Sequence, residues 1–528
     1  MIRTLTILSL TALLLSACKP TERTALKKKQ AELAAAPATP EVEQPVVAEP
    51  TPLPTPPEPA PLPEPVSQEP SASLLVVSST VQGYNPLRPW EKEEPRQLQA
   101  LGVYLGEGRV LTPARVVNDA TYVELMLPDA SRSVPARVLR FDEEMNLALL
   151  TVVHEADASV FETRTALPLG EALNRGDAAT YAGLINGVEP VHVELQAENA
   201  AGDKVPLMVM RAARPLPEGQ TNGAPVVREG KLCAVGVSYR KQEHLMQVVN
   251  AELIERFLTQ EEAGVPVVGV QLTPLDDPLF RKYLKLDDAA NGLYVSKVLP
   301  GSAAQAAGVQ VGDVITAIEG LPIDNQGRCN HPRYGLHSAS VLLRGMKDRG
   351  QELALTVSRA GEVHQIAVNL NRDAVEHALF RPQKSGVQPR YVMWGGLLFQ
   401  PLTSTLVETL TDRNKGMLPL ELQTLTQNQE TLRQSGCTEP VALTFVLPTA
   451  ATQGYEEVYM SRLVAVNGKP VNCFADLPAL LDEQTENGLV ALEFNKPPYT
   501  IYVERQAADA VNSYLQQKAI PKLRVVEE

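Results

Sequence analysis

The chain has 528 residues and a formal net charge of −14 at pH 7, with acidic side chains spread along its length. It shows no basic stripe with interleaved aromatic residues, so nucleic acid is excluded as an expected partner. Its length is too great for a single hydrophobic core and predicts about three folded domains. The cysteines show no metal-ligand spacing such as C-x-x-C, and neither a metal nor another cofactor is expected.

Residues 1–18 have the pattern of a bacterial lipoprotein signal peptide. Arg3 is followed by an apolar run over residues 5–15 and by the tetrapeptide Leu15-Ser16-Ala17-Cys18, a lipobox that ends in the cysteine to be acylated. The apolar run is too short for a helix that crosses a bilayer. An ordinary signal peptide with a chance cysteine is the alternative. We therefore expect Cys18 to be lipidated and to hold the protein on a membrane through its acyl chains.

Residues 19–72 are rich in proline, for example in Pro52-Leu53-Pro54-Thr55-Pro56. Such a composition cannot form a packed core and favours extended polyproline II, so we expect a disordered linker with a reach on the order of 100 Å. A ligand for a proline-recognition domain is the alternative. Lys19 rather than aspartate after the cysteine is similar to lipoproteins of the outer membrane. The expected location is therefore the bacterial cell envelope, on the outer membrane and facing the periplasm.

From Ser73 to about Leu258, short strands alternate with turn residues, which is typical of a β-sandwich or β-barrel. A helix is expected over residues 250–258, with Asn250 as its N-cap and apolar side chains on one face. The strands expected in the first part of this region are 74–78, 101–105, 109–111, 122–127, 136–140 and 147–152.

Several segments of this region resemble the Deg/HtrA-type serine proteases, in family order and at family-like spacing, and most of all the plant and bacterial Deg branch with two PDZ domains. The matching segments are NPLRPW at 85–90, LGVYL at 101–105, GRVLT at 108–112, MNLALLTV at 145–152, QTNGAPV at 220–226 and KLCAVGV at 231–237. The resemblance implies a trypsin-like double β-barrel over residues 73–262.

In the family motifs, Arg115, Asn146 and Asn222 stand in the places of the catalytic histidine, aspartate and serine. The chemistry of the family needs a serine hydroxyl, a histidine that accepts its proton and an aspartate that orients the histidine. Arginine has no lone pair with which to accept that proton, and an asparagine amide is not a usable nucleophile here. The resemblance therefore implies a degenerate triad, and no catalytic residue is expected.

A relocated active site is the alternative to lost catalysis. A shift of one residue would place Thr221 at the nucleophile position, where it would still need a base. Gln220 stands where the family has a glycine of the oxyanion hole, and its side chain restricts the backbone there. The three replaced residues form a hydrogen-bonded group, or Arg115 receives a carboxylate, or the three only fill the space. The candidate bases in the barrel region are His154, His192 and His244.

Residues 263–372 resemble a PDZ domain in the segments GLYVSKV at 292–298, PGSAAQAAG at 300–308 and GDVITAI at 312–318. The resemblance implies that a peptide adds a strand to a sheet edge while amides of a tight loop hold its terminal carboxylate. The loop that matches consists of Val267, Val268, Gly269 and Val270. The small side chains of Val268 and Val270 predict a preference for hydrophobic C-termini. A groove closed by the chain itself is the alternative.

Two further expectations concern the PDZ-like regions. Residues 335–347 are expected to form the helix beside the groove, with His337 on its surface. Residues 385–528 resemble a second PDZ domain more faintly, in WGGLLFQPL at 394–402 and in the hairpin VAVNGKPV at 464–471, whose Asn467-Gly468 pair suits a tight turn. A terminal helix is expected over 507–520. In relatives this domain is associated with assembly, which implies a structural role.

The sequence thus predicts a mostly β chain in which a lipoprotein signal and a proline-rich linker precede a trypsin-like double β-barrel and two PDZ-like α+β domains. We expect a proteolytically inactive Deg/HtrA homologue that binds peptides or unfolded segments in the envelope as an adaptor, holdase or decoy. The expected partners are hydrophobic C-terminal segments, the membrane, and either further copies in a homotrimer or an active Deg paralogue. The alternatives are an active serine endopeptidase with a relocated site and a structural envelope scaffold.

Overall fold

The computed structural model describes residues 69–527 except 186–187, 203, 261–263, 287–290, 371–378 and 414–415. The expected signal peptide, Cys18 and residues 19–68 of the expected linker lie outside the described residues. The chain is described from Glu69, and Pro70–Ser73 forms a 3-10 helix in which Ser71 and Ser73 are buried. Among the described residues, we find no helix with the length and apolar character that crossing a membrane requires.

The first barrel is formed by the amino-terminal strands of the described chain. These strands are β1 (Leu74–Val81), β2 (Tyr84–Asn85), β3 (Arg88–Lys92), β4 (Arg96–Gly106), β5 (Arg109–Thr112), β6 (Ala120–Met126), β7 (Ser133–Asp142) and β8 (Leu147–Val152). The barrel closes in the order β1-β4-β5-β8-β7-β6, while β2 and β3 form a separate hairpin. Most positions of β1 are buried, because its aliphatic and β-branched side chains face the barrel interior or neighbouring elements.

The second barrel follows the same plan. Its strands are β9 (Ala178–Ile185), β10 (Glu189–Ala201), β11 (Leu207–Ala212), β12 (Pro225–Arg228), β13 (Lys231–Arg240) and β14 (Leu245–Asn250). They close in the order β10-β11-β14-β13-β12-β9. Buried and exposed residues alternate along much of β10, as they must in a strand that faces a core on one side and solvent on the other.

Helix α1 (Ala251–Thr259) leaves the second barrel and confirms the helix expected there. The side chain of Asn250 caps it, because its Oδ1 accepts from the amide of Ala251 at 3.1 Å. The same Oδ1 accepts from the amide of Leu173 at 2.8 Å, and Nδ2 donates to the carbonyl of Leu173 at 2.9 Å. This buried amide group is therefore hydrogen-bonded through both its oxygen and its nitrogen.

The first PDZ-like domain comprises residues 265–370. Its elements are β15 (Val270–Pro274), α2 (Pro278–Tyr283), β16 (Leu293–Val298), α3 (Ala303–Ala306), β17 (Val314–Ile318), β18 (Leu321–Pro322), β19 (Arg328–His331), β20 (Gly335–Ser338), α4 (Ala339–Gly345), β21 (Glu352–Arg359) and β22 (Glu362–Asn369). Its sheet has the order β15-β16-β17-β21-β22, with β18 paired to β17. The core of the domain lies between this sheet and helices α3 and α4.

Residues 335–347 do not form the single helix expected from the sequence. Residues 335–338 are strand β20, which pairs with β19, and α4 begins only at Ala339. The expectation that His337 lies on the surface is wrong, since this residue is 7% exposed. The β19–β20 hairpin packs against the second barrel, and Tyr334 at its turn is buried in that barrel's core. This long-range packing, together with Ser338 as N-cap of α4, decides where the helix starts.

The second PDZ-like domain comprises residues 379–527. Its elements are β23 (Tyr391–Trp394), β24 (Leu397–Pro401), α5 (Ser404–Arg413), α6 (Leu420–Gln427), α7 (Gln429–Gln434), β25 (Val441–Val446), β26 (Ser461–Val466), β27 (Lys469–Pro470), α8 (Leu477–Asp482), β28 (Leu489–Phe494), β29 (Thr500–Glu504), α9 (Arg505–Lys518) and β30 (Arg524–Val525). The sheet has the order β29-β28-β26-β25-β24-β23-β30.

Two local predictions for this domain hold. Asn467 and Gly468 have φ of 50° and 73° and join β26 to β27, as expected for a tight two-residue turn. The terminal helix α9 is present, although it begins and ends two residues earlier than expected. The mostly β architecture of a double barrel followed by two α+β domains is confirmed.

The first barrel is also in contact with the second PDZ-like domain. The β2–β3 hairpin provides this contact, since the ring of Trp90 lies 5.9 Å from that of Tyr391 and the side chain of Gln400 donates to the carbonyl of Pro86 at 2.9 Å. The segment at 85–90 therefore serves as a bridge between domains.

Candidate functional site

Arg115 lies on a tight turn at the rim of the first barrel. The turn is a 3-10 helix, Ala114–Val116, which follows β5 after Pro113. The side chain of Ser79 in β1 donates to the carbonyl of Val116 and fixes the far end of the turn. The Arg115 side chain projects from this turn and is exposed.

Asn146 holds the same turn from the loop between β7 and β8. Its side-chain oxygen accepts from the amide of Arg115 at 3.1 Å, and its carbonyl accepts from the amide of Ala114 at 3.1 Å. The backbone of Asn146 has φ of 53°, a left-handed conformation that asparagine adopts more readily than most other residues. Asn146 therefore orients the backbone of Arg115 rather than its guanidinium.

Asn222 comes from a loop of the second barrel and meets Arg115 across the cleft. The Nη2 atom of Arg115 donates to the side-chain oxygen of Asn222. The carbonyl of Asn222 accepts from the amide of Leu101 in β4 at 2.8 Å. Gly223, with φ of 78°, is needed next to it, because a Cβ there would lie 1.8 Å from the carbonyl oxygen of Leu101.

The structure thus brings Arg115, Asn146 and Asn222 together into one hydrogen-bonded group. This group does not contain a proton acceptor of the kind that histidine provides, since a protonated guanidinium has only donors. Burial lowers the pKa of Arg115. The bond between Arg115 and Asn222 occupies the side chain that would have to carry a nucleophile.

The loop residues next to Asn222 are held by burial and by a hydrogen bond from the second barrel. Thr221, the alternative nucleophile, is 8% exposed. The carbonyl of Gln220 accepts from the phenol of Tyr181 at 3.0 Å, which fixes the backbone where the oxyanion hole would form. Burial raises the pKa of Tyr181, so this phenol stays protonated as a donor.

The three candidate histidines of the barrels are placed elsewhere. His192 on β10 lies 3.0 Å from the carboxylate of Glu69, measured from Nε2 to Oε1. His154 is exposed at the start of a 3-10 helix, and His244 lies in the turn between β13 and β14. Among the described residues, no hydrogen bond joins any of the three to Thr221 or Asn222.

The loop of Val267, Val268, Gly269 and Val270 lies at the amino-terminal end of β15. Gly269 has φ of 86°, and a Cβ on it would lie 2.2 Å from Cβ of Ser302, so only glycine fits. The carbonyl of Gly269 accepts from the amide of Leu299 at 2.8 Å. The amides of Val268 and Gly269 have no backbone acceptor within the described part of the chain, which suits a loop that receives a carboxylate.

The side chain of Val268 does not line the groove as expected. It is 2% exposed and packs in the core of the first PDZ-like domain. Val267 and Val270 are only half-buried and remain accessible beside the loop. The sequence did not distinguish these side chains, because their burial depends on how the loop packs against α3, where the amide of Ala304 donates to the carbonyl of Val268 at 2.9 Å.

The two PDZ-like sheets differ at the edge that would receive a peptide. In the first domain, β15 is the terminal strand of its sheet, so one of its edges has no partner strand among the described residues. In the second domain, β23 is covered by β30, which belongs to the chain's own C-terminal segment. Two hydrogen bonds of 2.7 Å between Arg524 and Asp482 hold that segment in place.

Strand β30 was not predicted from the sequence. A signal for it was present in the alternating Leu523 and Val525 after Pro521, but a run this short is weak by itself. Glu144 was not predicted either, although its carboxylate accepts from Arg344 of α4 at 2.8 Å and joins the first barrel to the first PDZ-like domain.

The cysteines and acidic residues do not form a metal site in the described part of the chain. Cys233, Cys329 and Cys437 are buried free thiols, and Cys473 is a half-buried one. Burial raises the pKa of the first three, most of all that of Cys329, to about 11. These thiols therefore remain protonated at neutral pH.

Comparison with known proteins agrees with this architecture. Family models described as PDZ domain match residues 254–329 and 380–525. The chain is 26% identical over 451 residues to Protease Do-like 2, chloroplastic, of Arabidopsis thaliana, which covers 83% of this chain and 72% of the relative. It is 26% identical over 285 residues to Periplasmic serine endoprotease DegP of Escherichia coli (strain K12), which covers 50% of this chain and 54% of that protein.

A solved structure, HtrA-type protease AlgW with decapeptide, is 18% identical at a TM-score of 0.41 and covers 57% of this chain and 96% of its own. Together, the family models and the relatives account for the two closed barrels and for the two α+β domains that follow them. The chain is a homologue of the Deg/HtrA-type trypsin-like serine proteases with PDZ domains.

Proposed function

We propose that this protein is a proteolytically inactive Deg/HtrA homologue that captures peptides or unfolded protein segments in the bacterial envelope. Its lipidated Cys18 would anchor it to the outer membrane, with the folded domains in the periplasm. It would act there as an adaptor, holdase or decoy in protein quality control.

The observation that carries the proposal is the hydrogen bond between Arg115 and Asn222 at the place of the triad. In a serine protease, this place holds a base in contact with a nucleophile. Here it holds the permanently charged guanidinium of Arg115 in contact with the amide of Asn222. The guanidinium does not accept a proton, and the amide does not act as a nucleophile. Loss of the base or the nucleophile costs on the order of 10⁶ in turnover in a serine protease studied in this way. The remaining binding groups do not make up such a loss.

Peptide capture is assigned to the first PDZ-like domain. Its terminal strand β15 offers backbone groups along an edge, and Gly269 lets the loop approach a terminal carboxylate closely. Val270 and Leu272 on that strand are half-buried, which suits hydrophobic side chains of a ligand. The second PDZ-like domain is given a structural role, because the outer edge of β23 is covered by β30 from the chain's own C-terminal segment.

Labelling with a fluorophosphonate and cleavage of unfolded casein test the loss of catalysis. The sample is the compact unit Pro65–Glu528, beside the triple revertant Arg115→His, Asn146→Asp, Asn222→Ser. We expect no labelling of the unmodified protein. Labelling of the revertant would show that the barrels still present a usable oxyanion hole. Labelling of the unmodified protein would contradict the proposal and direct attention to Thr221.

Fluorescence anisotropy with matched peptides tests the capture of C-termini. We expect a peptide with a hydrophobic C-terminus to bind, and its C-terminally amidated form to bind much more weakly, since the loop amides would lose their anionic partner. A structural scaffold would bind neither form, and that result would remove the binding function.

A further inference from the structure

Arg115 presents an exposed guanidinium at a fixed place in the cleft between the two barrels. Its backbone is held by Asn146 of the first barrel, and its Nη2 atom donates to Asn222 of the second. A guanidinium carries five N–H donors in a planar fork that matches the two oxygens of a carboxylate. Apart from Asn222, no acceptor among the described residues is bonded to this side chain. Most of the fork is therefore available to a ligand.

The guanidinium also lacks an internal counter-ion. Other arginines of the chain have one, such as Arg359, which binds Asp313, and Arg344, which binds Glu144. For Arg115, no ion pair with a carboxylate of the described residues is formed. Partial desolvation of the otherwise exposed side chain, without a compensating charge, lowers the pKa of this group.

The acidic side chains of the flanking loops are held by other donors. Each accepts hydrogen bonds that turn it toward a neighbouring element. Asp119 accepts from Ser385 and Gly386, Asp142 accepts from Met145 and Gly264, and Glu144 accepts from Arg344 and Val265. Glu143 lies in the same turn as Asn146 and is exposed. Among these acidic side chains, it is the one that is able to compete with a ligand for the guanidinium of Arg115. Apart from Glu143, the acidic side chains of these loops are therefore engaged by donors other than Arg115.

We propose that the place between the barrels where Arg115 meets Asn222 is a carboxylate-binding subsite, in which Arg115, with its backbone held by Asn146, receives the side chain of an aspartate or glutamate in an extended protein segment. This subsite is distinct from the loop at Gly269 and goes beyond the capture of C-termini proposed above. It gives the protein a second point of contact with an unfolded chain.

An acidic residue of a protein segment suits this place better than a free anion. The formal net charge of −14 disfavours every anion at this place, and a small anion held by Arg115 alone lacks further contacts that would offset this repulsion. A segment that lies between the barrels brings its carboxylate with it, and its backbone adds contacts of its own. The ligand is therefore a protein segment with an acidic residue, and nucleic acid is disfavoured by the same net charge.

A pair of short peptides that differ in one group tests the proposal on the full-length protein. Both peptides are acetylated at the amino terminus and amidated at the C-terminus, and they differ only by glutamate or glutamine at the centre. The amidated ends remove the terminal carboxylate that the PDZ loop would hold. Isothermal titration calorimetry is expected to show roughly tenfold tighter binding of the glutamate peptide, because a hydrogen bond to a charged acceptor is stronger than one to a neutral acceptor.

Two substitutions at one position provide the matched control. Asn222→Asp keeps Arg115 but gives it an internal carboxylate, so the preference for the glutamate peptide is expected to disappear. Asn222→Ala removes the existing acceptor without adding a charge, so the preference is expected to remain. Both variants change the same loop residue, and a general effect on folding would therefore be common to them. Arg115→Gln is expected to abolish the preference directly.

Several outcomes would overturn the subsite. Equal binding of the two peptides by the unmodified protein would do so, as would a preference that persists in Arg115→Gln. A preference that appears only in Glu143→Gln would show that Glu143 occupies the guanidinium in solution. Equal affinity for acetate and the glutamate peptide would leave no role for a protein segment. These results are separate from fluorophosphonate labelling and from binding of free C-termini, which test the proposed function.

Discussion

The phenol of Tyr334 donates a hydrogen bond to the carboxylate of Glu252 and thereby joins the hairpin of the first PDZ-like domain to helix α1. The same carboxylate lies 3.0 Å from the guanidinium of Arg333. The ring of Tyr334 is fully buried in the core of the second barrel, and burial raises its pKa well above the usual value. The phenol therefore remains a neutral donor, and the hairpin links the first PDZ-like domain directly to the barrels.

Removing this ring is expected to destabilise the protein strongly. Tyr334→Ala leaves a cavity in the barrel core, and loss of a buried aromatic ring costs about 3–5 kcal/mol of unfolding free energy. Tyr334→Phe removes only the hydrogen bond to the Glu252 carboxylate and is expected to cost about 1.5–3 kcal/mol, the range for a bond to a charged group. Urea unfolding followed by fluorescence measures both changes. Tyr283→Ala is the control, because Tyr283 is 80% exposed. Equal stability of Tyr334→Ala and this control would show that the hairpin is not docked.

Two glycines of the first PDZ-like domain distinguish the cost of backbone strain from that of a steric collision. Gly308 has φ of 81° and open space where a Cβ would lie, whereas Gly269 has φ of 86° and a Cβ on it would collide with Ser302. Gly308→Ala is expected to cost about 1–2 kcal/mol of stability and to leave peptide binding unchanged. Gly269→Ala is expected to cost more and to weaken the binding of a hydrophobic C-terminus. Titration of one labelled peptide into both variants checks this, and unchanged binding by Gly269→Ala would remove the loop from the peptide site.

The buried carboxylate of Asp313 depends on Arg359. Nε and Nη2 of Arg359 donate to its two oxygens at 2.7 and 2.8 Å, and Asp313 is 1% exposed. Arg359→Gln is expected to cost about 3–5 kcal/mol, because it leaves an uncompensated charge in the domain core. Arg240→Gln breaks an exposed pair with Glu243 and is expected to cost at most about 1 kcal/mol. Thermal unfolding of the two variants compares these costs, and similar midpoints would contradict the prediction.

The β19–β20 hairpin is expected to make stability depend on pH. Burial lowers the pKa of both His337 and His331. Below the unfolded-state value of about 6.5, the unfolded chain binds protons that the folded protein does not, so stability falls as the pH falls from 7 toward 5. His337→Met is expected to reduce this slope. Urea unfolding at several pH values measures the slopes, and an unchanged slope in His337→Met would show that His337 does not contribute.

Local sequence patterns predicted most of the individual elements. The helix at 251–259 and the turn at Asn467 and Gly468 were predictable because capping and left-handed φ depend on a few adjacent residues. Residues 335–338 were not, since their conformation depends on pairing with β19 and docking on the second barrel. The burial of Val268 in the core was not predicted for a similar reason. It depends on which face of the residues that lead into β15 is covered by other elements.

By itself, the sequence predicted, through its resemblance to the Deg/HtrA-type proteases, that Arg115, Asn146 and Asn222 stand where a catalytic triad would stand, because motif order and side-chain chemistry are properties of the chain alone. The tertiary structure decided that these residues form one hydrogen-bonded group, since Arg115 and Asn222 are 107 positions apart and meet only through the packing of two barrels. It also decided which strand stands at the corresponding edge of each PDZ-like sheet, β15 in the first domain and the C-terminal β30 in the second. That outcome follows from the fold of the C-terminal segment back onto β23, a contact between distant parts of the chain that no local pattern specifies.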